Sequence, residues 1–133
     1  MKAVILTFVA LVVTLLGVGV ASAKPRTVSL RLGENKTVMK EKIKISFVEV
    51  IEDSRCPKGV NCVWAGNAKV KVTAAVGRGA AQTFEINSGT GVRGFTAGGY
   101  AFNFVSLTEK PAGMGKGTAV RPRLVLSIER LTR

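Results

Sequence analysis

The chain contains no histidine, two cysteines, one tryptophan and only 8 acidic residues among 133. Each shortage removes a class of function. Without imidazole there is no Ser–His–Asp or Cys–His arrangement and no histidine-ligated metal. Two thiols cannot fill the four positions of a structural zinc site. Asp53 is the single aspartate, and its neighbour Glu52 is the nearest thing to a carboxylate pair. Adjacent residues on a strand point to opposite faces, so these two would not flank one substrate. Ser54 has no base near it in sequence. The expectation is a protein that is not an enzyme and carries no cofactor and no metal. Aromatic residues make up only 6% of the chain, and none interleaves with the lysines as a base-stacking platform would, so nucleic acid is not an expected partner. Nor does any stretch sustain apolar spacing at i, i+3, i+4 and i+7 for three turns, which argues against a helical domain.

What is present begins with an address. Met1 and Lys2 open with positive charge, an apolar run extends from Ala3 to Val20, and Ala21-Ser22-Ala23 supplies small residues where a signal peptidase needs them. This pattern predicts a secretory signal peptide over 1–23, formed as a helix and cleaved after Ala23. The rival reading is a retained anchor, since the run is close to the ~20 residues that span a bilayer. Cleavage is favoured by the Ala-Ser-Ala site. The remainder, 24–133, is long enough for one core and is expected to be a single periplasmic or secreted domain. It keeps every basic residue except Lys2, so its formal charge is about +11, against +12 for the whole chain.

Beyond Ala23 the hydrophobic pattern has period two. Val28, Leu30 and Leu32 alternate with polar residues, as do Ile43, Ile45 and Phe47, then Val70, Val72 and Ala74. The runs at Phe84 and Ile86, Tyr100 to Phe104, and Leu124 to Ile128 repeat it. One apolar and one mostly polar face per run is the signature of half-buried strands. After Phe47 the phase slips, since Val48, Val50 and Ile51 make both faces apolar, which predicts a β-bulge. Gly33-Glu34-Asn35-Lys36 and Gly77-Arg78-Gly79 read as hairpin turns, and the glycines between Ser88 and Gly99 as a flexible hairpin loop. The predicted architecture is all-β: a small antiparallel β-sandwich, or a partly open barrel, of about six to eight strands.

The segment from Ser54 to Gly66, between a strand ending near Asp53 and one starting near Asn67, is unusual. It is an irregular loop of a length rare in compact domains unless it is functional or internally fixed. It holds both cysteines, Cys56 and Cys62, which in an exported chain are expected to form a disulfide. A redox C-x-x-C arrangement is absent. Pro57 and Gly59 suit the tight path, and Asp53 and Arg55 are expected to brace it. Trp64 is expected to plug the open end of the core beside the bridge; the alternative is an exposed anchor for a partner, with Arg55 and Lys58 beside it.

The residues Asp53-Ser54-Arg55-Cys56-Pro57, Gly59-Val60, Cys62 and Trp64-Ala65-Gly66 resemble a group of small bacterial secreted proteins and lipoproteins. That group also shows a late Gly-Tyr-apolar strand followed by proline, matched here by Gly99-Tyr100-Ala101-Phe102 and Pro111. It has no established activity, so the resemblance implies compartment and domain unity but no chemistry. This chain lacks the group's lipid-attachment cysteine, which points to a soluble form.

Gly89, Gly91 and Gly94 fit G-x-G-x-x-G, but the βαβ context that gives that motif its meaning is missing, and no nucleotide is expected. The basic residues cluster. Lys42 and Lys44 share the outward face of one predicted strand, and Lys69 and Lys71 that of another. If the two strands belong to one sheet, that face carries a basic stripe, whose like charges an anion would relieve. The blander account is solubility, with charge keeping the domain monomeric. Two functions follow. One is a non-catalytic binding or accessory module of the periplasm or cell surface, biased towards an anionic envelope polymer or lipid. The other is an inhibitor of a secreted enzyme that presents the Cys56–Cys62 loop, with Lys58 at its tip.

Overall fold

The computed structural model describes residues 24–108 and 121–132. The expected signal segment, 1–23, and the turn from Pro111 to Gly117 lie outside the described residues. Within them are eight strands and no helix: β1 Arg26–Arg31, β2 Asn35–Val38, β3 Ile43–Asp53, β4 Ala68–Val76, β5 Gln82–Asn87, β6 Gly94–Ala97, β7 Tyr100–Leu107 and β8 Arg123–Arg130. They form two four-stranded antiparallel sheets, ordered β1-β8-β7-β6 and β2-β3-β4-β5. The all-β sandwich read from the period-two pattern is therefore the fold.

The topology also explains why a barrel is a close second. Except at β1/β2 and β5/β6, each strand pairs with its predecessor in chain order, and β8 returns to pair with β1. That is the cyclic order of an up-and-down barrel opened along two seams, β1/β2 and β5/β6. Alternating residues of both sheets meet in one core of Leu30, Ile43, Ile45, Phe47, Val72, Ile86, Phe102, Leu124 and Leu126, all with no accessible surface. Its largest members bury on the order of 1.5–3 kcal/mol of apolar transfer energy each. At the β5/β6 seam, where ladder bonds stop, three rings take over. Phe84 of β5 stacks on Phe95 of β6 at 4.0 Å between centroids, and Phe95 on Phe102 of β7 at 4.7 Å. At the other seam Lys36, on the inward row of edge strand β2, donates from Nζ to the Ser29 carbonyl of β1 at 3.0 Å. An inward-pointing charge of this kind also protects an edge from pairing with other chains.

Two expectations change. The turn at Gly33-Glu34 is not a hairpin, because β1 and β2 belong to different sheets. Gly33 takes a φ of +79° and donates its N–H to the Phe47 carbonyl, which carries the chain across the sandwich edge. The stretch around Gly94 is not only loop. It holds β6, and the missing side chain lets Gly94 lie against the Phe102 carbonyl and Asn103, where a Cβ would collide. The slip in phase after Phe47 is real, and it occurs twice: the β3–β4 register shifts between Phe47 and Glu49 and again between Val50 and Glu52.

Because neighbouring strands run antiparallel, the connections sort to two ends. One end carries the β1–β2 turn, the loop between β3 and β4, the β5–β6 loop and the junctions of β7 and β8. The other carries the β2–β3 turn, the Gly77–Gly79 and Gly98–Gly99 hairpin turns, and Lys24.

Candidate functional site

The β3–β4 connection stands at the first of these ends as a tongue closed by the Cys56–Cys62 disulfide, with Cα atoms 5.8 Å apart. Inside the ring Val60 N–H donates to the Pro57 carbonyl at 3.2 Å, and Gly59 has a φ of +78°, so residues 57–60 make a closed β-turn with Lys58 at its corner. Below the ring the two arms are tied together. Ser54 N–H donates to the Asn67 carbonyl at 2.8 Å, and Asn67 N–H to Ser54 Oγ at 3.0 Å. Gly66, with a φ of +68°, lies so close to Ser54 and Arg55 that a Cβ would overlap their backbone.

Arg55 connects the tongue to the opposite sheet. Its Nε and Nη2 each donate to the Asp53 carboxylate at 2.8 Å, a bidentate pair. Nη1 reaches the Leu107 carbonyl at 3.0 Å and Nη2 the Thr108 carbonyl at 2.9 Å, at the end of β7. The Arg55 and Asp53 side chains are only 19% and 22% exposed. The guanidinium is thus engaged within the fold, bracing the tongue against two sheets at once.

A second network, not apparent in the sequence, fixes the neighbouring loop. Asn67 Nδ2 donates to Asn87 Oδ1 at 2.8 Å, Gly89 N–H to Asn67 Oδ1 at 3.0 Å, and Ala68 N–H to Ser88 Oγ at 2.8 Å. Asn and Ser at strand ends do this kind of capping. Their positions just outside β4 and β5 were the signal that could have found them.

The expectation that Trp64 plugs the core is overturned. Its side chain is 69% exposed, and Val63 beside it is 96% exposed. The reason lies in the two anchors. The Ser54–Asn67 pairing and the Arg55 clamp hold the base of the loop at the rim, so the ring and residues 63–65 stand off the sandwich. The core end is already filled by Phe47, Ala68, Leu107 and Leu124. Val60 and, on the adjacent loop, Val92 are also exposed.

The basic stripe is interrupted. Strands β3 and β4 do share a sheet, but each bulge adds one residue and returns the following ones to the other face. Glu49 and Glu52 therefore face outward, opposite Lys71 and Lys69. Lys71 Nζ donates to Glu49 Oε2 at 2.9 Å, and Lys69 lies 3.9 Å from Glu85. The hydrogen bond to Glu49, with its charge, holds the Lys71 ammonium above its ordinary value of 10.5. Both side chains remain open to solvent, so this pair is screened by salt. Lys42 and Lys44 fall elsewhere: with Arg78 and Met39 they line a shallow hollow of about 510 Å³ at the far end, where no acidic residue is part of the wall. A second groove there, about 540 Å³, is lined by Lys24, Arg26, Lys40, Glu41, Tyr100 and Arg130. In it Arg26 Nη1 meets Glu41 Oε1 at 3.3 Å, while Glu41 Oε2 is buried without a hydrogen-bond partner among the described residues.

At the tongue end the charges are differently placed. Arg31 and Arg123 sit directly opposite each other on β1 and β8, both exposed; Arg121 precedes Arg123 by two residues and Arg93 ends the β5–β6 loop, and both are exposed. None of the four takes part in an ion pair among the described residues. No family model, no curated protein and no solved structure matches this chain.

The bridge itself is a modest stabiliser, because it closes a short ring away from the core. Replacing Cys56 and Cys62 together by serine is expected to lower stability by ~2 kcal/mol on the chain-entropy estimate. A urea titration checks this. An unchanged midpoint would mean that the turn and the anchors hold the tongue without the bridge.

Proposed function

We propose that this chain is an exported, non-catalytic binding module of the bacterial envelope, and that it holds anionic partners at its tongue end. The observation that carries this reading is the exposure of Trp64 on a loop bridged by a disulfide and pinned at its base. An aromatic side chain carried on a restrained loop backbone loses less further entropy on binding, which suits an interface anchor. Arg31, Arg93, Arg121 and Arg123, which form no ion pair among the described residues, supply the bias towards negative charge. The disulfide is compatible with an oxidising compartment. Acid–base chemistry has little support: the acidic residues placed in β3 and β5 are Asp53, bound to Arg55, and the outward Glu49, Glu52 and Glu85, arranged around Lys69 and Lys71.

The inhibitor reading is less well supported. A substrate-like loop needs an extended backbone at its tip, and here Lys58 occupies the corner of a closed turn.

Heparin chromatography at increasing salt tests the assignment of the site. Reversing Arg93 and Arg123 to glutamate removes the same charge as reversing Lys42 and Arg78 in the hollow at the far end. The tongue-end pair is expected to bring elution to markedly lower salt, and the far-end pair to change it much less. Equal shifts for both pairs would show retention by net charge alone, and the reading would be lost.

A further inference from the structure

We infer that the tongue end is a membrane-docking face, on which Val60, Val63, Trp64 and Val92 enter the interfacial layer of an anionic bilayer. This rests on the binding reading above and names the partner. Exposed apolar surface and unbalanced positive charge meet at this end. The exposed apolar side chains lie on two adjacent loops, the tongue and the β5–β6 loop, which are strapped to each other through Asn67, Gly89 and Ser88. A saccharide would require a cleft or a platform with hydrogen-bonding groups around it, and valines offer none. A bilayer interface takes up isolated apolar protrusions, and tryptophan is favoured at that depth because its ring is apolar and its N–H can still reach polar headgroups.

The charges stand where such an orientation needs them. Arg31 and Arg123 lie at strand ends, one level back from the loop tips, and Arg93 follows Val92 directly. Inserting the tips would bring these guanidiniums to the level of the headgroup phosphates, which they can bind in bidentate fashion. The cross-strand pair Arg31–Arg123 is repulsive in isolation, and anionic headgroups would relieve it. Apolar insertion or basic attraction alone gives weak, reversible attachment; their combination is what yields stable binding.

The experiment uses the chain from Lys24 onward, exported and oxidised, which contains every core residue named above. Trp64 is the only tryptophan, so its fluorescence reports the tongue and nothing else. With vesicles of phosphatidylcholine containing phosphatidylglycerol, its emission is expected to move to shorter wavelength and to be quenched by lipids labelled near the headgroup. Pure phosphatidylcholine vesicles should give little response. In sedimentation with the anionic vesicles, Trp64→Ala should weaken partitioning about tenfold, and Arg93→Gln with Arg123→Gln about thirtyfold at low salt. All these side chains are exposed; Val63→Asp, at the most exposed of them, provides a second variant that cannot disturb the core, and it should abolish the spectral shift. Sedimentation without any change in Trp64 emission would overturn insertion and leave only surface adsorption. A response to heparin but not to vesicles would overturn the membrane partner while keeping the binding reading. A response to neither would remove both.

Discussion

Replacing Arg55 by methionine is expected to destabilise the domain by about 3 kcal/mol, a large fraction of the ~5–15 kcal/mol by which a typical domain is stable. The substitution keeps most of the aliphatic stem and removes only the guanidinium. Three acceptors then lose guanidinium donors at once: the Asp53 carboxylate, which keeps the Arg55 N–H at 3.2 Å, the Leu107 carbonyl and the Thr108 carbonyl. Leaving one partner of a paired charge behind costs roughly 3–5 kcal/mol when it is fully buried. Here both side chains keep about a fifth of their surface, which moves the value to the low end. The loss should appear as a lower urea midpoint and a melting temperature reduced by roughly 10–20 °C. A cycle with Asp53→Asn separates the contributions. If the carboxylate is the main casualty, Arg55→Met should cost at least ~1 kcal/mol less in the Asp53→Asn background than in the native one. A single-variant loss below about 1 kcal/mol would mean that the clamp is a surface pair and that the tongue is held by its backbone alone.

That clamp marks where the sequence stops being legible. Periodicity finds a residue's face, and it placed the six long strands and the members of the core, from Leu30 to Ile128, because apolar alternation is a local property. It also found the slip after Phe47. What it could not count was bulges. One extra residue at Val48 and another at Ile51 decide whether Glu49 and Glu52 face the core or face Lys71 and Lys69. A basic stripe inferred from lysine parity on β3 and β4 therefore becomes a row of mixed charge. The two shortest strands, β2 and β6, bury too little to leave a pattern, although Gly98-Gly99 between Ala97 and Tyr100 is a recognisable two-residue hairpin turn. The cysteine pairing was legible from composition and compartment. The position of Trp64 was not, because it depends on contacts between residues 13 to 53 apart in the chain, Ser54 with Asn67 and Arg55 with Thr108. These hold the tongue away from a core that is complete without it.

The tightest of those contacts gives the second large effect. Gly66→Ala is expected to destabilise the base of the tongue by at least ~3 kcal/mol. Of this, ~1–2 kcal/mol is the ordinary cost of a side chain at a φ of +68°. The rest comes from the approach itself: the new Cβ would overlap the Ser54 carbonyl group and the Arg55 Cα, which are backbone atoms with no rotamer to yield. Relief requires the two arms to separate, and separation breaks the Ser54–Asn67 bonds and pulls Arg55 away from β7. Gly59→Ala is the control. It has a φ of +78° with open space where the Cβ would go, so it should lose only the conformational part. Urea titration gives the two costs, and amide exchange at Ser54 and Asn67 locates the damage: fast in Gly66→Ala, native-like in Gly59→Ala. The emission of Trp64 on anionic vesicles should follow the same division, because an unpinned tongue must be reordered before it can insert. Equal costs for the two variants would show that positive φ alone explains Gly66, and the base of the tongue would then have no claim to rigidity.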